Sequence, residues 1–268
     1  MNSQTFRWLG LVLGSVLWLP MMAWAQIPRV PTSSGPRMQG PPTALGVEPV
    51  KDWSGRLHRV DEDLKAGKWG KARKASDLLL ADMLERMEIG DATGPTLALV
   101  LTFRALGASG EKDLEAARWD WLAAQAIQPD LREAAFLPYG DAGPPLEGYR
   151  RRDDGVIPAA APLLTLTATA AERPAAQRDG KAPRYPDALR PECARGEIKF
   201  PVIVNDGGRA IFPLGLAAGT DPAMAVAAFE VVRGWRFEPA QRSGKASAAQ
   251  FEVALSFDPG RCKPRVAP

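Results

Sequence analysis

The sequence predicts an α+β protein, with an N-terminal antiparallel, repeat-like helical region followed by a C-terminal β-β-α-β module that holds a three-stranded antiparallel sheet. Two periodicities carry this. Between residues 51 and 136 apolar side chains recur at spacings of three and four, as one face of a helix requires. After Tyr185 they alternate in twos, in three runs interrupted by a single helical stretch. A third observation separates these regions: the 25 prolines and 25 glycines gather in stretches that follow neither period and read as spacers.

Taken in order, Met1 to Arg7 carry one positive side chain ahead of an apolar run from Trp8 to Ala25, which closes on Ala23-Trp24-Ala25 before Gln26. This pattern predicts a secretory signal over residues 1–25, cleavage after Ala25 and a periplasmic protein. Retained, the same run would anchor the chain in the inner membrane, but it is at the short end for a span and Pro20 interrupts it. No Cys follows it, which argues against a lipoprotein. Residues 26–50, with Pro28, Pro31, Pro36, Pro41, Pro42 and Pro49 among Ser, Thr and Gly, read as an extended spacer.

In the helical region, Ala75, Leu79, Met83 and Met87 form one stripe of a helix starting near Lys71, widened by Ala72, Leu80 and Leu84. Asp91, Thr93, Gly94 and Pro95 break the pattern before a second helix with Leu97, Val100, Leu101 and Ala105 inward. Gly107 and Gly110 mark the next break. A third helix buries Leu114, Ala117, Trp121, Ala124 and Gln125, and Pro129 ends it. Small residues in Ala66 to Ala72, Ala105 to Gly107 and Ala116-Ala117, followed by Pro129, resemble a degenerate tetratricopeptide-type repeat. About two units are visible where roughly three make an independent stack, so a neighbouring helix or domain is expected to complete the core. An irregular helical bundle accounts equally for the spacing. Residues 137–182, rich in Pro, Ala and Gly, read as a linker, with Leu163 to Thr167 as a short strand. In a polyproline-like state, at about 3.1 Å per residue, it would span on the order of 100 Å and tether the two folded parts loosely.

The module occupies residues 183–262, with 263–268 as a tail. Ile198, Phe200, Val202 and Val204 alternate with polar residues as a first strand; Asn205-Asp206-Gly207-Gly208 turns the chain, and Ala210, Phe212, Leu214 and Leu216 form the inward set of a second. Thr220 or Asp221 caps a helix with Pro222 at its first position, which buries Ala225, Phe229, Val232 and Trp235 and runs to Pro239. Phe251, Val253, Leu255 and Phe257 face inward on the last strand. With the third strand beside the first, the order is second, first, third, and the last strand is an edge. That order brings Cys193, before the first strand, next to Cys262, after the third. An exported chain oxidises such thiols, so one disulfide is expected. Pro201 falls inside the central strand, where it demands either a bulge or another strand order.

Tyr185-Pro186, Gly196, Asp206-Gly207-Gly208-Arg209, Trp235-Arg236-Phe237-Glu238-Pro239 and the final strand to Phe257 together resemble the C-terminal domain of the TonB family of energy transducers. The resemblance covers about the last third of the chain. In that family the domain lies in the periplasm and captures a short extended segment of an outer-membrane receptor along an edge strand, in energy-dependent transport. Carried over, the partner-strand site is Gln250, Phe251, Glu252, Val253, Ala254, Leu255 and Ser256. Two departures stand out. Ala182 occupies the position where many transducers have Gln, and Trp8 to Ala25 lacks the His that couples the family's membrane helix to its proton-driven motor.

No catalytic constellation emerges. His58 is the sole His, so no Ser-His-Asp or Cys-His set can be assembled, and no cluster has zinc-ligand spacing. Asp61-Glu62-Asp63 reads as a charged helix start, Trp119 and Trp121 as core, and His58 as a solvated or packed helix residue. The net charge of +3, with Lys and Arg interspersed among Asp and Glu, gives no basic stripe for nucleic acid. The expectation is a non-enzymatic binding protein without cofactor or metal, whose partner is an outer-membrane receptor or another periplasmic protein, with membrane contact only if the N-terminal run is retained. The alternative is a periplasmic scaffold or adaptor that binds its partner through the tetratricopeptide-like helices without energy transduction.

Overall fold

The computed structural model describes residues 51–133, 136–152 and 175–262. The signal segment, the Pro-rich spacer, the Leu163 to Thr167 strand and the tail lie outside the described residues. The chain is α+β. Its helices are α1 (Lys51–Lys65), α2 (Trp69–Arg86), α3 (Thr93–Gly110), α4 (Leu114–Ile127), α5 (Gly143–Arg152) and α6 (Pro222–Val232). Its strands are β1 (Ala176–Asp179), β2 (Gly196–Val204), β3 (Ala210–Pro213), β4 (Arg236–Glu238), β5 (Ala240–Arg242), β6 (Lys245–Ser247) and β7 (Ala249–Phe257).

Short loops make the first four helices antiparallel neighbours. Arg56 near the start of α1 pairs with Asp82 near the end of α2 at 2.6 Å, and Asp63 pairs with Lys71 at 2.9 Å. Small residues then let α2 and α3 cross closely. A Cβ on Gly107 would lie 2.8 Å from the Arg73 Cβ, and one on Gly110 only 2.3 Å from the Trp69 ring. Gly107 therefore does not break the helix, because α3 runs through it to Gly110; its missing side chain makes room for α2. Asp113 caps α4, its carboxylate accepting from the Ala116 N–H at 3.1 Å. Almost every residue of α3 is buried, which marks it as the central helix.

Three expectations need correction here. Asp61, Glu62 and Asp63 do not start a helix but sit in the second half of α1, where buried Asp61 accepts from the Tyr139 hydroxyl at 2.7 Å and from Lys65 at 2.7 Å. Burial, and then the Asp61 carboxylate, push the Tyr139 phenol far above its ordinary range. The segment taken as a linker is partly built: a turn at Leu137–Ala142 and then α5 fold back on α3, with the Ser109 hydroxyl donating to Ala142 O at 2.8 Å and Leu146 fully buried. β1 lies in the same segment and pairs with β4.

The loose tether is the third. One continuous cluster of buried residues runs from Leu57 to Phe257, and the described residues fall in one compact unit. The junction is polar at its centre. Arg104 of α3 donates Nε to Asp120 at 2.9 Å and Nη2 to the other Asp120 oxygen at 2.6 Å, and it reaches Glu230 of α6 at 2.5 Å and 3.1 Å. Arg233, just past α6, joins Asp120 at 3.1 Å. Burial works against the Arg104 charge, but the Asp120 and Glu230 carboxylates overcome it and hold the guanidinium protonated well above its ordinary value. Residues 153–174 of the expected linker lie outside the described residues; the loose tether is overturned by these distant partners, which nothing in the Pro-rich composition reports. Buried residues of α5 and α6 join those of the first four helices in one core.

The three-stranded sheet has the order β3-β2-β7, the expected one, and all its pairs are antiparallel. Ile198, Phe200, Val202 and Val204 are buried with Val253, Leu255 and Phe257, and Phe200 meets Phe229 of α6 edge-on at 4.8 Å. Asp221 caps α6, its carboxylate accepting from Met224 N at 2.9 Å. The second strand departs from its alternation. Val204 pairs with Ala210 but Ile203 pairs with Phe212, so Ile211 is an extra residue, and Phe212 turns to the face opposite Ala210. There it is buried beneath the Arg118 guanidinium of α4, 4.0 Å from its ring centre. β3 ends at Pro213, leaving Leu214 exposed. Trp235 is also not helical: α6 stops at Val232, and Trp235 enters the core from the connection to β4, donating its indole N–H to Lys181 O at 2.9 Å.

Candidate functional site: an open strand edge

The candidate site is β7, which has β2 on one side and no paired strand on the other among the described residues. Which backbone groups face outward follows from ladder geometry. In an antiparallel ladder a residue's N–H and C=O point to the same side, and alternate residues point to opposite sides. Pro201 O accepts from Leu214 N at 2.9 Å, and Asn205 N donates to Arg209 O at 2.9 Å, so odd-numbered residues of this strand direct their polar groups toward β3. Even-numbered residues of β2 therefore address β7. The register pairs Val202 with Phe251, Phe200 with Val253, Ile198 with Leu255 and Gly196 with Phe257. These four β7 residues spend their N–H and C=O on β2. Gln250, Glu252, Ala254 and Ser256 direct theirs away from the sheet, and their side chains are exposed as well. The seven residues Gln250 to Ser256 thus bring together the whole predicted strip, about 20 Å long, in two alternating roles.

The same geometry disposes of the Pro201 difficulty. The Pro201 nitrogen lies on the β3 side, opposite Leu214, where β3 has already left the sheet. The missing N–H removes no bond from the β2–β7 ladder.

On the opposite side of the sheet, β4 meets the turn that leads into β3. Phe237 N donates to Gly208 O at 2.9 Å, Arg209 bridges to Arg236, and β4 is itself paired with β1. Gly208 is required there. Its φ is +72°, and a Cβ would lie 2.1 Å from Phe237 O.

The far end of β7 is fixed. Beyond its end, Cys262 is joined to Cys193 with the Cα atoms 5.8 Å apart, tying it to the start of β2. Arg190 adds a hydrogen bond from Nη1 to Pro259 O at 3.1 Å. Its guanidinium is held by Asp187 at 2.5 Å and lies 5.4 Å from the Tyr185 ring centre. The hydrogen bonds from Arg190, and after them from Arg184, hold the Asp187 carboxyl below its ordinary range. The Tyr185 hydroxyl donates to Ala194 O at 2.8 Å, so the Tyr-Pro pair braces the approach to β2. Ala182, at the departure from the family pattern, is exposed on the rim of a groove of about 360 Å³ lined by Leu84, Tyr185, Pro186 and Val231.

Before β7, β5 and β6 form a hairpin that the sequence reading missed. Ser243 and Gly244 both have positive φ, +50° and +69°, as the two central residues of a type I′ turn require, and the Ser-Gly pair was the available signal. Of the other residues considered for chemistry, Trp119 and Trp121 are buried, Trp121 lying edge-on to Phe136 at 5.0 Å. His58 is half-buried on α1, 3.4 Å from Glu62. Among the described residues no helix is long and apolar enough to cross a membrane. No model of a known protein family matches the chain, and a search of curated proteins finds no match.

Proposed function

We propose that this is a periplasmic TonB-like binding protein that takes up an extended segment of an outer-membrane receptor, or of another periplasmic partner, by adding it as a strand beside β7. One observation carries the reading: four alternate residues, Gln250, Glu252, Ala254 and Ser256, point donors and acceptors away from the sheet, where no strand pairs with them among the described residues, on a strand whose other side is paired with β2. Main-chain hydrogen bonds to that row supply the affinity, and the alternating side chains set the choice of guest. The apolar N-terminal run and the Cys193–Cys262 disulfide both suit an exported, oxidised setting. Backbone amide exchange tests the assignment. In the free chain the amides of Gln250, Glu252, Ala254 and Ser256 exchange rapidly while those of Phe251, Val253 and Leu255 are protected. Titration with seven-residue peptides copied from periplasm-facing receptor segments protects the first set alone. Protection elsewhere, with this row unchanged, refutes the reading.

A second reading, the scaffold in which the helices hold the partner, draws on one observation. Leu78 of α2 is 59% exposed beside a groove of about 380 Å³ between α1 and α2, lined by Val60, Ala75 and Leu79 with Arg56 and Asp63 at its rim. Leu78→Glu abolishes partner capture under this reading and leaves it intact under the first.

A further inference from the structure

Within the reading of β7 as a guest-strand site, on which this inference rests, we infer that Glu252 selects guests carrying a basic residue opposite it. Glu252 is the one charged side chain in the outward row of Gln250, Glu252, Ala254 and Ser256. Its cross-strand neighbour on β2 is Pro201, which offers no charge, and among the described residues Glu252 enters no ion pair. Lys199, on the same face and diagonal to Glu252, stands opposite Ala254 and is held by Glu197 at 2.9 Å, with the Glu252 carboxylate a weaker, longer-range attraction. A guest laid against β7 places alternate side chains beside this row, one of them directly opposite Glu252 at the 4.5–5.5 Å spacing usual for cross-strand Cβ pairs. A Lys or Arg there makes the direct ion pair that Lys199, held by Glu197, does not make with Glu252, and an Asp or Glu meets like charge. The remaining positions of the row, Gln250, Ala254 and Ser256, are uncharged and discriminate little by charge. The guest class that fits is thus an extended segment with a basic residue at the centre of its solvent-facing row.

The test is a charge-swap cycle on the full chain. The probes are two seven-residue peptides with Val at the odd positions and Thr at positions two and six; one has Lys at position four and the other Glu. Affinities are measured by calorimetry for the native chain and for Glu252→Lys, whose fold is checked by circular dichroism. The native chain is expected to bind the Lys peptide about two- to five-fold more tightly, the range of an exposed cross-strand charge pair, and Glu252→Lys to reverse the order. The preference shrinks at 0.5 M salt. Equal binding of both peptides by both chains overturns the selectivity while leaving strand addition standing. Binding of neither peptide by either chain overturns strand addition at β7, and this inference with it.

Discussion

Replacing Ala254 with proline separates the open side of β7 from its paired side. The Ala254 N–H points away from β2, so the substitution removes a donor that no strand pairing among the described residues uses, at a position where an edge strand tolerates proline. The cost to folding is therefore small. The cost to a guest is one main-chain hydrogen bond, a net of about 0.5–1.5 kcal/mol or roughly two- to twelve-fold in affinity, plus the clash of the pyrrolidine ring with the incoming backbone. Val253→Pro, one residue earlier, is the control. It removes an N–H committed to Phe200 and drives the ring into the ladder, so the module unfolds. Peptide titration by calorimetry, alongside thermal melts, reads both effects. If Ala254→Pro binds as the native chain does, the guest does not lie along β7. If it melts as early as Val253→Pro, the outward assignment of the even-numbered residues is wrong.

Arg104→Met leaves the fully buried Asp120 with Arg233 but without its closer cation, while Glu230 is exposed, and is expected to cost up to about 3 kcal/mol; a denaturant melt in which both parts of the chain still unfold at the native midpoint would contradict the joint core. Reducing Cys193–Cys262 reopens a long loop, at about 4 kcal/mol, which corresponds to a fall of roughly 10 °C in Tm; an unchanged melt under reductant counts against its role in fixing the end of β7. The Asp63, Asp113 and Asp187 carboxyls are all held below their ordinary range, so the stability they supply is present above about pH 4 and is lost as pH falls through their folded values. Thermal midpoints should hold between pH 7 and 5 and decline below 4, and a rise on acidification would refute the sign. Gly208→Ala forces a Cβ against Phe237 O and a non-glycine residue into positive φ, so the β4 contact gives way and Tm drops by several degrees.

The sheet was legible because its signals are local. Alternation in β2 and β7, the cap at Asp221 with Pro222 behind it, and the cysteines flanking the two long strands each point to their place without reference to the rest of the chain. Phe212 was assigned to the wrong face because a bulge is one extra residue whose existence depends on the partner strand, and Trp235 because a helical spacing persists past a helix that has ended. The candidate strip could be named from sequence, but its division into paired and outward residues could not. That needed the Leu214–Pro201 hydrogen bond, which fixes the parity of the ladder. Least visible was the union of the helical region with the module. Arg104 and Glu230 are 126 residues apart, and neither period nor composition connects them. That union also bears on the scaffold reading, since severing the chain in the Pro-rich segment would strip α3 and α4 of their cover and make either fragment adhesive for reasons unrelated to its partner.

β7 offers a rim nine residues long, whereas β3 on the far side of the sheet is four residues long and has β4 against the turn that leads into it. Head-to-tail polymerisation of a β-protein needs two exposed rims, one to receive and one to be received. With the two rims so unequal in length, the contact between copies that pairs the most backbone is symmetric, β7 against β7, and it is complete at two, which disfavours an endless fibre.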